Sequence, residues 1–449
     1  MIATLRGQLS GSGSLLLPGD LGYAPGRVVW NAGIDRHPAG ILVCGDAEDA
    51  VMAVRSAAHH GLVVTVRGGG HNVAGRSIAD GALLLDLSRM RRVEVNAETA
   101  VATAQGGSLW HDLDTATAAL GLATTGGMIS STGVGGLTLG GGAGWLMRRH
   151  GLAIDNLEAA RVVLADGRVV RASADEHPDL FWALRGGAGG LGVVTSFEFR
   201  LHPLTQVLAG LVIRPAAAAG QVLREFRDFT AQAPDEFCAM TVLAHAPPLP
   251  FLDPKWHGRP VVISALCWCG ELAAGERVLA PLRRSGAPLA EHVGPMPYLN
   301  WQHLLDPSGP PGRHHYWKTA NFAALDDATI DILSAAATEL PTAQSEIHVQ
   351  HMGGAVARIP AAETAFSNRH TPYFVNLIGT TPFAAQFEPL REQVRALHAR
   401  LSPRALPGLL PNFSNQDDGV VTAQFDTAHA QRLAGLRRQY NAAGLFALN

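Results

Sequence analysis

Three glycine-rich stretches, RGGGH at residues 67–71, TGVGGLTLGGGAGW at 132–145 and GAGGLG at 187–192, limit what the first part of the chain can fold into. Glycine loses more backbone freedom on folding than any other residue and brings no side chain to a core, so it weakens helices and strands alike. Globular domains keep such runs where backbone must come close to backbone or to a ligand. Each stretch therefore belongs at a connection between short elements. Long helical arrays are ruled out, and no tandem period of about 20–50 residues appears.

The sequence between the glycines supplies those elements. Ile41–Cys44 is a short apolar run, Asp46 is suited to cap a helix, and apolar residues then recur at helical spacing until Gly61. LVVTV at residues 62–66 reads as a buried strand, so residues 41–66 form a β-α-β unit that runs straight into Arg67. ALLLDL (82–87) is a further strand, VEVNAETAVATAQ a hairpin turning at Asn96–Thr99, LWHDLDTATAALG a helix, and RVVLADGRVVRAS a hairpin closed at Ala165-Asp166-Gly167. A helix at Pro178–Leu184 and an alternating strand, GVVTSFEFRL at 192–201, follow. Elements mixed in this way give an α+β class. After His202-Pro203 glycine clusters become fewer, and the strand-like runs PVVISALCWC, SEIHVQHM and PYFVNLIG alternate with alanine-rich helical segments. The expected division is a first domain at residues 1–205, a second at 206–405, and a C-terminal segment at 406–449 containing the helix AHAQRLAGLRRQYN.

At 449 residues the chain is too long for one core, and a 47% hydrophobic content is enough for two. A formal net charge of −3 leaves no basic footprint, which argues against nucleic acid and anionic membrane surfaces as partners and favours a small-molecule ligand. The N-terminus lacks the apolar stretch of about 7–15 residues that a secretory signal needs, and no run approaches the roughly 18–20 apolar residues of a membrane span. The four cysteines, Cys44, Cys238, Cys267 and Cys269, are too scattered for a disulfide framework or a zinc site, and Cys267 and Cys269 alternate like one face of a core strand. His314-His315 has no third ligand beside it, so no metal is expected. The expectation is a cytoplasmic monomer or homodimer.

The stretch at 187–192 matches GxGxxG, yet it follows a helix and precedes a strand. A dinucleotide-binding Rossmann turn needs the opposite order, so that a pyrophosphate meets a helix N-terminus. RGGGH does follow a strand, but HNVAGRSIAD after it lacks a periodic apolar face and starts no helix. Its three glycines let successive N–H groups converge into an anion-binding nest suited to a diphosphate, where a plain tight turn would use one or two. In the stretch at 132–145 half of the residues are glycine, and no helix or ordinary strand is expected there. The valine, leucines and tryptophan among them are out of place in a flexible linker. Two such loops in one domain imply a long ligand, anionic at one end and flat and apolar at the other.

RGGGH, STGVGGLTLGGGAGWLMRRHGLAIDNL, DEHPDLFWALRGGAGGLGVVTSFEFRLHP and the C-terminal LPNF resemble, in order and spacing, the FAD-linked oxidases of the berberine-bridge-enzyme type. These belong to the vanillyl-alcohol-oxidase/p-cresol-methylhydroxylase (PCMH) superfamily. The likeness runs from about Asp35 to Pro203 and resumes near the C-terminus. It implies a two-part PCMH-type FAD-binding domain, made from residues 1–205 with the C-terminal segment returned to it, and a substrate domain in which an antiparallel sheet is backed by helices. Cofactor contacts are implied for Val66, Arg67, Gly68, Gly69, Gly70, His71, Asn72, Gly75 and Ser77. They are implied as well for Gly127, Ser131, Thr132, Gly133, Gly136, Leu137, Thr138, Gly140, Gly142, Gly144 and Trp145, and for Gly192, Val194 and Asn412. Arg67–His71 would hold the pyrophosphate end and reach the flavin. In the family the histidine of RGGGH is joined through a ring nitrogen to the flavin 8α-methyl, which makes His71 the implied tether. Members with a second covalent bond use a cysteine; the matching position here is Ile129, so His71 is the single expected attachment. Many members also carry a tyrosine base two residues before the Asn-Phe of the C-terminal motif, and here Leu410 stands in its place.

The implied activity is dehydrogenation of a small organic substrate, a specialised metabolite or sugar alcohol, with hydride transfer to flavin N5 and reoxidation by dioxygen. With the tyrosine absent, a base must come from the substrate domain, or the chemistry shifts to oxidative cyclisation, C–C double-bond formation or a non-redox use of FAD. Tyr373 and Asn376, in PYFVNLIG, resemble the family strand that faces the flavin. Strand alternation puts them on opposite faces, so one of the two at most enters the site. Asn376 is suited to orienting substrate, and Tyr373 to orienting it or taking a proton. His348 and His351, in SEIHVQHM, also face opposite ways, and each is read first as a polar core residue.

Overall fold

The computed structural model describes residues 2–7, 9, 12–415, 417, 418 and 425–447. Asp46 accepts a hydrogen bond from the Asp49 N–H and caps the helix Ala47–His60, which Gly61 ends at φ 64°. The strands Gly40–Val43 and Val64–Arg67 flank Leu83–Asp86, both parallel to it, and Ser14–Leu16 adds an antiparallel edge. Ile41, Leu42 and Leu83–Leu85 are fully buried, as the continuous apolar runs of a parallel sheet covered on both faces require. A second, all-antiparallel sheet holds five strands in the order Val93–Asn96, Val101–Gln105, Val193–Arg200, Leu157–Val163 and Val169–Ser173. Both expected hairpins lie in it.

The third sheet is antiparallel throughout and is built from residues 206–381. Its order is Ala290–Pro297, Gln206–Pro215, Pro260–Trp268, Phe237–His245, Glu346–His351, Tyr373–Thr381 and His314–Phe322. The helices Ala219–Thr230, Asp327–Ala336 and Phe387–Leu401 cover one face, with Leu223, Phe226, Ile330, Leu333 and Val394 in the same core as Ile347, Val349, Val375 and Leu377. The residues between them, such as Phe374 and Met240, face the first part of the chain and share a core with Trp145, Leu146 and Met147. Alternation thus gives each strand one face for the helices and one face for the site.

The C-terminal helix Thr427–Tyr440 places Leu433 and Leu436 in one core with Leu180 and Phe181. Beyond it the Val64 N–H donates to Leu445 O at 2.7 Å and the Ala447 N–H donates to Val64 O at 3.0 Å, so this segment lies beside the strand that leads into RGGGH.

One expectation fails at the level of an element. The glycine stretch 132–145 contains a helix, Val134–Leu139. Tertiary contact overrides propensity here, because the missing side chain at Gly135 admits the Phe197 ring, which would lie 3.1 Å from an added Cβ. The four cysteines are buried and free. No helix among the described residues is long and apolar enough to cross a membrane.

Candidate active site

A cavity of about 350 Å³ lies between the glycine loops and the face of the seven-stranded sheet opposite the helices Ala219–Thr230, Asp327–Ala336 and Phe387–Leu401. The loops contribute Gly68–Asn72 and residues from Gly127 to Gly140; the sheet contributes Met240, His315, Trp317, Glu346, His348, Gln350, Asn376, Ile378 and Thr380. Register brings the sheet residues together, with His348 opposite Asn376, Glu346 opposite Ile378 and His315 opposite Thr380. These positions recur every second residue along three neighbouring strands, so one pleated face presents them all.

The two glycine loops touch each other. A Cβ on Gly69 would sit 2.4 Å from the Gly133 nitrogen, and one on Gly133 would sit 2.4 Å from the Gly69 nitrogen, so neither position accepts a side chain. Among the described residues, the N–H groups of Gly68, Gly69 and Gly70 donate to no protein acceptor. They are oriented donors without partners, beside a cavity. Asn412 fixes the second loop: its Oδ1 accepts from the Gly142 N–H at 3.0 Å, and its Nδ2 donates to Leu137 O at 3.0 Å and Gly136 O at 3.3 Å.

Of the residues singled out in the sequence, Val66, Gly68, Gly69, Gly70, His71, Asn72, Ser77, Gly127, Thr132, Gly133, Gly136, Leu137, Gly140, Gly192, Val194, Asn376 and Asn412 line the cavity. Eight others do not. Arg67 is taken up by Asp86, 2.6 Å away, and by Val28 O at 3.1 Å, which leaves its guanidinium committed to the first sheet. Added Cβ atoms on Gly75, Gly142 and Gly144 would strike Ile34, Ala153 and the Gly126 carbonyl, so these glycines serve close packing. Trp145 is buried with its ring 4.7 Å from that of Trp301, Thr138 is buried, and Ser131 is exposed. Tyr373 points to the helix-covered face, where its hydroxyl meets that of Thr230 at 2.6 Å. Ile129 lines the cavity, whereas Leu410 is buried in an apolar core and does not.

Sequence reasoning missed several lining residues because distant segments bring them in. Trp30 stacks on His71 at 4.3 Å and on His315 at 3.7 Å, three rings drawn from three parts of the chain. Arg76 and Trp317 also line the cavity. The Glu346–His348 pair did carry a signal, since residues i and i+2 of a strand share a face. Glu346 Oε2 lies 2.6 Å from His348 Nε2. His351, on the opposite face, lies 3.3 Å from Arg148 Nη1.

Burial lowers the His71 ring to about 4 and the His315 ring to about 3, so both are neutral near pH 7. Several buried polar atoms of lining residues have no hydrogen-bond partner: Thr65 Oγ1, His71 Nε2, Arg76 Nε and Nη1, Ser77 Oγ, His315 Nε2, Trp317 Nε1, Gln350 Oε1 and Asn376 Oδ1. Each unmet group costs about 1–3 kcal/mol, so a ligand with many donors and acceptors along its length would relieve the site. No cluster of metal-ligating side chains occurs among the described residues.

Comparison with known proteins agrees with this geometry. A family model described as an FAD binding domain matches residues 38–173. An FAD-linked oxidoreductase of Dictyostelium discoideum is 27% identical over 94% of this chain and 90% of its own length. The chain is an FAD-linked oxidoreductase. The solved structure of 6-hydroxy-D-nicotine oxidase from Arthrobacter nicotinovorans superposes on the oxidoreductase with a TM-score of 0.85 and 27% identity, covering 98% of this chain and 97% of that one. The BBE-like 1 protein of Physcomitrella patens shares the fold, with a TM-score of 0.88 and 20% identity over 100% of this chain and 98% of its own. The oxidoreductase thus has the PCMH-type, berberine-bridge-enzyme-like fold.

Proposed function

We propose that the protein holds FAD in this cavity through His71 alone and dehydrogenates a small organic substrate, a specialised metabolite or sugar alcohol, with dioxygen as the final electron acceptor. The observation that carries this reading is the row of unpartnered buried polar atoms between the glycine loops and the sheet. The residues present fit a flavin dinucleotide. Free N–H groups of Gly68–Gly70 suit its diphosphate, and the apolar walls of Val194, Leu137 and Ile129 suit its rings. The neutral His71 ring keeps its buried Nε2 without a partner, which suits a covalent tether. Bound FAD supplies the chemistry that the side chains lack, acceptance of a hydride from substrate carbon.

The remaining requirement is a base for the accompanying proton. Glu346 occupies Nε2 of His348 and leaves Nδ1 to take that proton, while the carboxylate stabilises the imidazolium that forms. Asn376, opposite His348 in register, orients the substrate hydroxyl. This dyad takes the role that a tyrosine at position 410 would fill elsewhere in the family.

Purified protein should be yellow and should keep its colour in an acid precipitate, and His71→Ala should release the flavin into the supernatant. Complete release from the wild type would remove the tether from this account. Screening alcohols and sugars for hydrogen peroxide release, with anaerobic bleaching of the flavin as the second readout, tests the oxidase activity. Bleaching without peroxide in air would assign a different acceptor.

A further inference from the structure

Arg76 is a half-buried cation facing the cavity without a counter-charge of its own. It sits on the turn that follows His71, where Asn72 Oδ1 accepts from the Ala74 N–H at 3.0 Å and the Arg76 N–H at 3.4 Å. That turn fixes its place relative to the glycine nest. Its Nη2 donates to Ser414 Oγ at 2.8 Å, but Nε and Nη1 are buried with no partner. No carboxylate forms an ion pair with it among the described residues. The acidic group whose charge reaches it, Asp418, is engaged by Lys318 and by the Asn415 N–H.

A second arginine, this one buried, lies near. Arg437 donates from Nη2 to Gly187 O at 2.8 Å, its Nε is unpartnered, and burial together with the charge of Arg76 lowers it to about 10. Two like charges in a desolvated region, each with free donors, call for an anion between or beside them. Ser77 Oγ, adjacent in sequence and also without a partner, adds a neutral donor on the same wall.

We propose that Arg76 is the charge partner of the dinucleotide's diphosphate, completing with a side chain the anion site that the glycine N–H groups begin. This rests on the reading of the cavity as the FAD site. Arg67, the arginine of the recognised motif, is bound to Asp86, so the cation is supplied nine positions later in the chain.

The test uses His71→Ala protein, in which flavin exchange can be measured, with Arg76→Met and Arg76→Lys added to it. Affinities for FAD and for riboflavin, which has no phosphate, are compared across a salt series. Arg76→Met should weaken FAD binding about tenfold or more, leave riboflavin binding unchanged and flatten the salt dependence, and Arg76→Lys should restore part of the loss. Equal weakening of both ligands would show a packing role, and unchanged FAD affinity would assign the free cation to some other anion; either result overturns the proposal. Wild-type protein that carries no flavin would sink the reading of the cavity as well.

Discussion

A carboxylate that holds one nitrogen of an imidazole decides which nitrogen is left to accept a proton, and Glu346 holds His348 in this way at 2.6 Å. Glu346→Gln preserves the hydrogen bond and removes the charge, so we expect flavin reduction at saturating substrate to slow by about 10²-fold, with KM little changed and the pH profile displaced. Anaerobic stopped-flow bleaching measures it, and an unaltered rate would exclude the dyad from proton transfer. At this scale the sequence was informative where one element decides direction. Alternation along a single strand separates Tyr373 from Asn376, and the structure turns Asn376 toward the cavity and Tyr373 toward Thr230. It was silent about Trp30, Arg76 and His315, whose places depend on segments far apart in the chain meeting at one point.

At the scale of elements, caps and turns were legible because their chemistry is local. Asp46 and Gly61 bound the helix Ala47–His60 as their side chain and backbone freedom require, and Asp46→Ala should lower stability by about 1 kcal/mol in a urea titration. The helix Val134–Leu139 was hidden because glycine-rich sequence disfavours it, and tertiary contacts hold it, among them its packing against Phe197, the Val134 N–H to Ser108 O bond and its tie to Asn412. The contact between the two glycine loops sets a sharper expectation. Gly69→Ala would place a methyl carbon 2.4 Å from backbone nitrogen, so the loops must part. Flavin content per chain, read from visible absorbance, should then fall well below that of the wild type even where the variant still folds.

Across the molecule, one buried ion pair joins residues more than two hundred positions apart. Arg369 meets both oxygens of Asp155, at 2.7 and 3.1 Å, with both side chains almost wholly buried. Arg369→Ala leaves the buried carboxylate with the Leu152 N–H but without its counter-charge, and should cost about 3–5 kcal/mol, measured by chemical denaturation. Acid sensitivity also belongs to this scale. Burial lowers His315 and His351 to about 3 from 6.5, so the unfolded chain binds protons below pH 6.5 that the folded chain does not. Their contribution is complete above that pH and is lost as pH falls toward 3, on the order of 3 kcal/mol each by pH 4. The melting temperature should drop over that interval, and His351→Gln should make the drop shallower.

The pairing of Val64 with residues 445–447, and the grip of Asn412 on the loop at 136–142, carry a consequence for synthesis. The ribosome makes both glycine loops well before the residues that steady them. A nascent chain arrested before position 412 would expose a half-built cradle, and the cofactor would have to wait until residues 412–447 have been made.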